Sequence, residues 1–233
     1  MRVYCPCDDY RVSQFVRYFK EHFAEFGLVH LTATCFIEGG RGLRYDYDGK
    51  EEKICELEGD GDFRSAETTA IRDESDIIVT NPPFSLVARY FHRWASAKKY
   101  IYICDNMICQ YKAPLMDVAE GKASVTRTKR IVFLGHNTTS PIKLIYNIPC
   151  RRIEKPYVFK AHYDPARYRR YDNYDAINID HYTDMPVDYD GPMGIPHTTV
   201  ALLDRSKYDI LALLTRVSVE GEKKFKRIII RRK

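Results

Sequence analysis

Asp76-Ile77-Ile78-Val79-Thr80-Asn81-Pro82-Pro83-Phe84 is the stretch on which the reading of this 233-residue chain turns. The run Ile77 to Thr80 has the length and residue types of a buried strand. Two prolines then end it, because proline offers no amide hydrogen to a ladder and pushes the residue before it into an extended conformation. Downstream, Leu86, Val87, Tyr90, Phe91 and Trp94 fall on one face of a helix. Strand, polar tetrapeptide and helix together place Asn81 at the carboxyl edge of a sheet, where open α/β folds bind their ligands. There the Asn81 side-chain oxygen and a diproline carbonyl can both accept hydrogen bonds from a planar exocyclic amine, leaving the nitrogen lone pair free. Phe84 can stack on the ring that carries the amine. Methyl transfer to an amino group suits this arrangement, on a base that has left its duplex stack. The same four residues can also simply terminate a strand.

The rest of the composition bounds the problem. A 45% hydrophobic and 30% charged chain of this length supports one substantial domain with a real core. With 37 Lys and Arg against 32 Asp and Glu, the net charge of +5 permits a polyanionic partner without requiring one. Eighteen tyrosines against one tryptophan are compatible with half-exposed rings for stacking or for interfaces. Seven cysteines without paired spacing, no signal peptide and no membrane-length apolar run describe a reduced, cytoplasmic chain. Cys5 and Cys7 have no second Cys or His pair at metal-site spacing, so no metal site is expected.

Strands and helices alternate through the first half. Arg2 to Cys7 reads as a strand running into Asp8-Asp9, and a helix follows from Ser13 with Val12, Phe15, Val16, Phe19, Phe23 and Phe26 in period and Gly27 as its stop. Leu28 to Phe36 is a second strand with Glu38 just past its end, then a polar excursion with a hairpin at Asp48-Gly49. Gly59-Asp60-Gly61-Asp62-Phe63 precedes a short helix from Ser65, and Tyr100 to Cys104 is a further strand. This order implies a mainly parallel, doubly wound α/β sheet. Short apolar runs at Ile131 to Leu134 and Ile142 to Ile145 read as antiparallel edge strands, and Glu220-Gly221 turns a hairpin in the tail. The expectation is one domain over 1–233, with 150–192 an irregular segment folded onto it. In that segment Tyr168, Arg169, Arg170 and Tyr171 interleave charge and rings, a pattern that grips phosphates and stacks bases or else forms a solvated loop.

The segments CDDYRVSQFVRYF, GDGDFRSAE, DIIVTNPPFSL, YDNYDAI, DYDGPMGIP and KRIIIRRK, in this order over nearly the whole chain, resemble the EcoRI-type adenine-specific DNA methyltransferase family. The resemblance implies a Rossmann-like S-adenosylmethionine-dependent methyltransferase fold, S-adenosylmethionine as cofactor and double-stranded DNA as substrate. No membrane and no obligate protein partner are implied. By position, Asn81, Pro82, Pro83 and Phe84 become the target-adenine pocket, and Asp8 and Asp9 the acidic cofactor loop. Glu38 becomes a candidate for the ribose hydroxyls, and Asp62 and Phe63 for the cofactor's adenine amine and ring. Each also has a plain alternative: Asp8-Asp9 as a helix cap, Glu38 as a surface acid and Phe63 as core. Arg151, Arg152, Arg167, Arg169 and Arg170 are the candidates for DNA phosphates.

Three departures from the family stand out. Tyr10 occupies the place of a proline in the Cys-Asp-Asp-Pro loop, the resemblance starts at once at Arg2 where members carry an upstream aromatic segment, and Leu134 to Asn173 is shortened. A truncated, catalytically weak DNA-binding relative is therefore an alternative. Methylation of RNA or of a protein glutamine is another that the tetrapeptide alone would permit.

Overall fold

Alternation along β1 (Arg2–Pro6) sends Val3 and Cys5 to one face of a sheet and Tyr4 to the other, and all three side chains are buried. A strand buried on both faces needs cover on both, and the chain supplies it. The computed structural model describes residues 1–94, 98–133, 137–148 and 157–233. Contacts divide the chain into two compact units, Met1–Asp105 with Leu144–Pro149, and Asn106–Lys143 with Cys150–Lys233.

In the first unit β1 is followed by α1 (Gln14–Glu21), β2 (His30–Cys35), β3 (Leu43–Tyr47), β4 (Glu52–Glu56), α2 (Ala66–Glu74), β5 (Ile77–Thr80), α3 (Val87–Trp94) and β6 (Lys99–Asp105). The strands lie in the order β4-β3-β2-β1-β5-β6. β2, β1, β5 and β6 are mutually parallel, and β3 and β4 continue antiparallel from β2. The hairpin expected at Asp48-Gly49 is the β3–β4 turn, with Gly49 at φ 95.

Helices cover both faces. Phe15, Val16, Phe19 and Phe23 pack on the Val3, Cys5, Leu31, Ala33, Ile77 and Val79 side. On the Tyr4 side, Val87, Tyr90, Phe91 and Trp94 of α3 are buried, with Tyr4 and Trp94 rings 5.9 Å apart and Tyr90 edge-on to Tyr102 at 5.1 Å. Full burial of one such side chain stabilises by about 1.5–3 kcal/mol, so this single helical face contributes a large share of the unit's driving force. The first helix is shorter than its periodicity suggests. Ser13 caps it by accepting from the Val16 amide, but it ends at His22 and continues only as turns to Gly27. A strap closes the unit, where Asn147 accepts from the Tyr100 amide at 2.6 Å and donates to the Lys98 carbonyl at 2.9 Å.

The second unit holds α4 (Lys112–Ala119), β7 (Ser124–Val125), β8 (Lys129–Val132), β9 (Thr139–Tyr146) up to Lys143, β10 (Ile177–Asn178), β11 (Met193–Pro196), β12 (Tyr208–Leu214), β13 (Val217–Val219), β14 (Glu222–Lys224) and β15 (Arg227–Arg232). β8 runs antiparallel to β9, as expected for the edge runs near 131 and 142. A separate sheet has the order β10-β11-β15-β12, and β13 and β14 form the expected tail hairpin through Glu220 (φ 52) and Gly221 (φ 80). Residues 157–176 are largely irregular, yet they share a core of Tyr171, Ala176, Val217, Val219 and Ile229 with these strands. No helix among the described residues is long and apolar enough to cross a membrane.

Gly61 holds the loop before α2 against the end of β2. Its φ is +83 and a methyl group there would overlap the Cys35 carbonyl, while Ile37 N–H donates to Asp60 O and Gly42 N–H to Gly59 O, both at 2.9 Å. Gly61→Ala is expected to cost about 1–2 kcal/mol for the left-handed backbone and about 1–3 kcal/mol more for overlap. Gly27→Ala, at φ +58 with open space around it, should cost only the first. Thermal melts compare them at roughly 2–4 °C per kcal/mol; equal losses of Tm would mean that the loop does not rest on β2.

Candidate active site

The strand order reverses at β1, since β2 lies on one side of it and β5 on the other. A ligand crevice forms outside the carboxyl ends of strands at such a switch. The chain leaves β1 into Cys7, Asp8 and Asp9, leaves β2 toward Glu38, and leaves β5 into Asn81, so parallel pairing brings all of these to one edge. Asp62 joins them: its field acts on Cys7, whose thiol burial and the nearby Asp8 and Asp62 charges push up to about 12.

Asn81 follows a fully buried strand and is itself half-buried. Its side-chain oxygen is inaccessible to solvent and has no hydrogen-bond partner among the described residues. An unpaired buried acceptor costs about 1–3 kcal/mol, which marks a place where a donor belongs. Of the two proline carbonyls, that of Pro83 accepts from the Leu86 amide at 2.8 Å and starts a tight turn over Phe84–Leu86 that leads into α3. The Pro82 carbonyl is thus the diproline acceptor not consumed by that turn. Phe84 is half-buried at the head of the turn.

The acids differ in what they can offer. Asp8 is buried, with Ser13 Oγ on its Oδ1 and Thr80 Oγ1 on its Oδ2, each at 2.7 Å. Burial pushes its carboxyl up to about 6, and these hydrogen bonds pull in the other direction. Asp9 is more accessible. The Arg11 guanidinium holds its carboxyl below the usual range, with Nε at 2.8 Å and the backbone N–H of Arg11 at 3.0 Å. Asp62 repeats this pattern with Arg64, whose Nε lies 2.8 Å and whose amide lies 2.7 Å from Oδ1. Glu38 is exposed in the turn beyond β2.

Phe63 is 4% exposed, with its ring 4.8 Å from Tyr90 and edge-on to Trp94 at 6.0 Å. It fastens the Asp62 loop to the helix that follows the Asn-Pro-Pro-Phe turn. In this structure it is a core ring. Thr80, Arg11, Arg64 and Tyr90 were not singled out from the sequence for the site; the Asp-x-Arg spacing at 9–11 and 62–64 is the one signal that could have found the arginines.

Of the basic candidates, Arg151 and Arg152 lie outside the described residues. Arg167 pairs with Asp184 at 2.8 Å, Arg169 with Glu220, and Arg170 with Asp175, all on exposed side chains. The rings between them are not free for stacking. Tyr168 is buried with its hydroxyl donating to the Asp184 carbonyl at 2.8 Å, and Tyr171 is buried with its hydroxyl donating to Asn178 Oδ1 at 2.8 Å. The expectation that these two tyrosines stack bases is therefore corrected: they anchor an irregular segment that has few ladder hydrogen bonds of its own. Among the described residues no group of three or more His, Cys, Asp or Glu side chains is arranged to hold a metal ion.

A family model described as "Adenine-specific methyltransferase EcoRI" matches residues 1–53, 43–128 and 135–233. The chain belongs to this methyltransferase family. It is 30% identical over 279 residues to the Type II methyltransferase M.EcoRI of Escherichia coli, an alignment covering 99% of this chain and 86% of that relative. It is 26% identical over 242 residues to the Type II methyltransferase M.MpnI of Mycoplasma pneumoniae, covering 91% and 75%. The first alignment is longer than the 233 residues of this chain, so the Escherichia coli protein holds positions with no counterpart here. No solved structure matches the chain. Membership implies use of S-adenosylmethionine in general and sets the acids and the Asn-Pro-Pro-Phe turn in the context of methyl transfer.

Phe63→Ala should cost about 3–5 kcal/mol of stability, the usual penalty for emptying a buried aromatic site, read as a fall in the urea midpoint. A variant of unchanged stability with weakened cofactor binding would place the ring on the cofactor's surface instead.

Proposed function

We propose that this enzyme has a Rossmann-like methyltransferase fold and moves a methyl group from S-adenosylmethionine to the exocyclic amine of an adenine flipped out of double-stranded DNA. The observation that carries the reading is the buried, unpartnered oxygen of Asn81 at the β1–β5 switch. An amine N–H donated to it, and a second donated to the Pro82 carbonyl, would fix the plane of the amino group. The nitrogen lone pair is then left pointing out of that plane toward an electrophile. Phe84 would take the base by stacking, worth about 1–3 kcal/mol per base. No covalent enzyme intermediate is needed, and most of the acceleration comes from alignment.

The residues present suit the cofactor. When bound, it supplies an electrophilic methyl group on a sulfonium. Its amino-acid end carries one positive and one negative charge, and an Asp beside an Arg, as in Asp9–Arg11, presents the complementary pair, while Asp62 serves the adenine amine. Glu38, past the end of β2, is placed for ribose hydroxyls by the same logic as in dinucleotide folds. Arg167, Arg169 and Arg170 are proposed to exchange their carboxylates for DNA phosphates.

Calorimetric titration with S-adenosylmethionine and methyl transfer to adenine-containing duplexes test the reading together. Asn81→Ala is expected to lose transfer while keeping cofactor affinity, because its missing acceptor serves the target. Wild-type turnover by that variant would sink the assignment, and a folded wild-type protein that binds no cofactor would favour a DNA-binding remnant.

For the arginines, a salt series on Arg169→Gln/Arg170→Gln should weaken binding to all duplexes alike and flatten the log–log slope by about one unit per lost contact. An unchanged slope would leave them as the structural ion pairs they form in the free protein.

A further inference from the structure

Asp8 is 8% exposed, and its surroundings leave little of it for a ligand. Ser13 engages one carboxylate oxygen and Thr80, the residue before Asn81, the other. The amide of Asp8 itself donates to the Thr34 carbonyl of β2 at 3.0 Å. One residue thus joins the ends of β1, β2 and β5 to the start of α1. A cofactor ammonium would find both oxygens in use, whereas Asp9, one residue on, has an accessible carboxylate.

We propose that Asp8 is a positioning residue for Asn81, holding the backbone of the target-amine pocket across the β1–β5 switch, and not a ligand of the cofactor. The inference rests on the methyltransferase reading of Asn81. Its physical basis is the Thr80 hydroxyl on Asp8 Oδ2, next in the chain to Asn81, since a donor bonded to a carboxylate is held about twice as strongly as one bonded to a neutral acceptor. Thr80 makes this contact sensitive to protons. Its hydroxyl lies between Asp8 Oδ2 and the Pro6 carbonyl and has one hydrogen to give. With Asp8 ionised, that hydrogen points to the carboxylate. With Asp8 protonated, Asp8 can donate to Thr80, which turns its own hydrogen to Pro6, and the tie from Asp8 to the end of β5 loses its charge.

Burial sets the change near pH 6. The titratable neighbours are Cys5 of β1, Cys7 just past its end and Tyr90 of α3, each raised by its own burial and neutral at that pH. From β5, the cap of α1 and β2, Asp8 meets the hydroxyls and backbone groups of Thr80, Ser13 and Thr34.

The first test needs neither cofactor nor DNA. In the unliganded full chain, the nitrogen-15 amide resonance of Asn81 should titrate with a midpoint near pH 6, and Asp8→Asn should abolish that titration. An Asn81 amide that stays still from pH 5 to 8 in the wild-type protein overturns the contact. The second test is kinetic. Asp8→Asn should lower kcat about ten- to hundred-fold above pH 7, the usual loss when an orienting partner is removed, and should lose the acid limb near pH 6. Its affinity for S-adenosylmethionine should change by less than about three-fold, under roughly 0.7 kcal/mol. A collapse of cofactor affinity with kcat preserved would make Asp8 a ligand. A wild-type protein without cofactor binding or transfer would defeat the functional reading instead, and the amide titration would still decide whether Asp8 holds Asn81.

Discussion

The pairing of β1 between β2 and β5 is the constraint from which the site follows. Hydrophobic burial on both faces fixes β1 in the middle of the sheet, and the two parallel neighbours on opposite sides then open the crevice at its carboxyl end. Residues separated by more than 70 positions, Asp8 and Thr80, meet there within hydrogen-bond distance. The chemistry-bearing groups are therefore products of topology first and of local sequence second. Only Asn81-Pro82-Pro83-Phe84 carries its geometry in its own residues.

Much of the first unit was legible because its signals are strong and local. Proline ends β5, Ser13 and Ser65 cap their helices by accepting from the amide three residues on, and Gly49 supplies the left-handed turn of a hairpin. The face of α3 was read residue by residue from its period. The second unit was harder. α4 is a single short helix with Pro114 in its first turn and was not read at all, and the run Tyr208–Leu214, which forms β12, carries no clear alternation. Periodicity has little to work on in such elements. The expectation of one domain over the whole chain now stands beside a division of contacts into two units, something no composition shift or linker announces.

Side-chain fates divide along the same line. That Asp8 would be buried and hydrogen-bonded at both oxygens while Asp9 stays accessible cannot be read from two adjacent identical letters; it depends on which points toward β5. Likewise the arginines at 167, 169 and 170 are clustered in sequence, but their carboxylate partners lie five to 51 residues away. Charge in a sequence is a count, and charge in a fold is a count after pairing. The tyrosines at 168 and 171 show the same for rings, since the interleaved pattern that suggested a surface comb places them under the segment rather than on it.

Tyr10 follows the acidic pair, and its ring lies flat on Tyr45, with centroids 5.0 Å apart and planes 6° from parallel. Rigidity that a proline confers within one residue is here shared between the acidic loop and β3, on the antiparallel side of the sheet. A substitution at Tyr45, in a strand away from the crevice, therefore loosens the acidic loop at the catalytic side of the molecule.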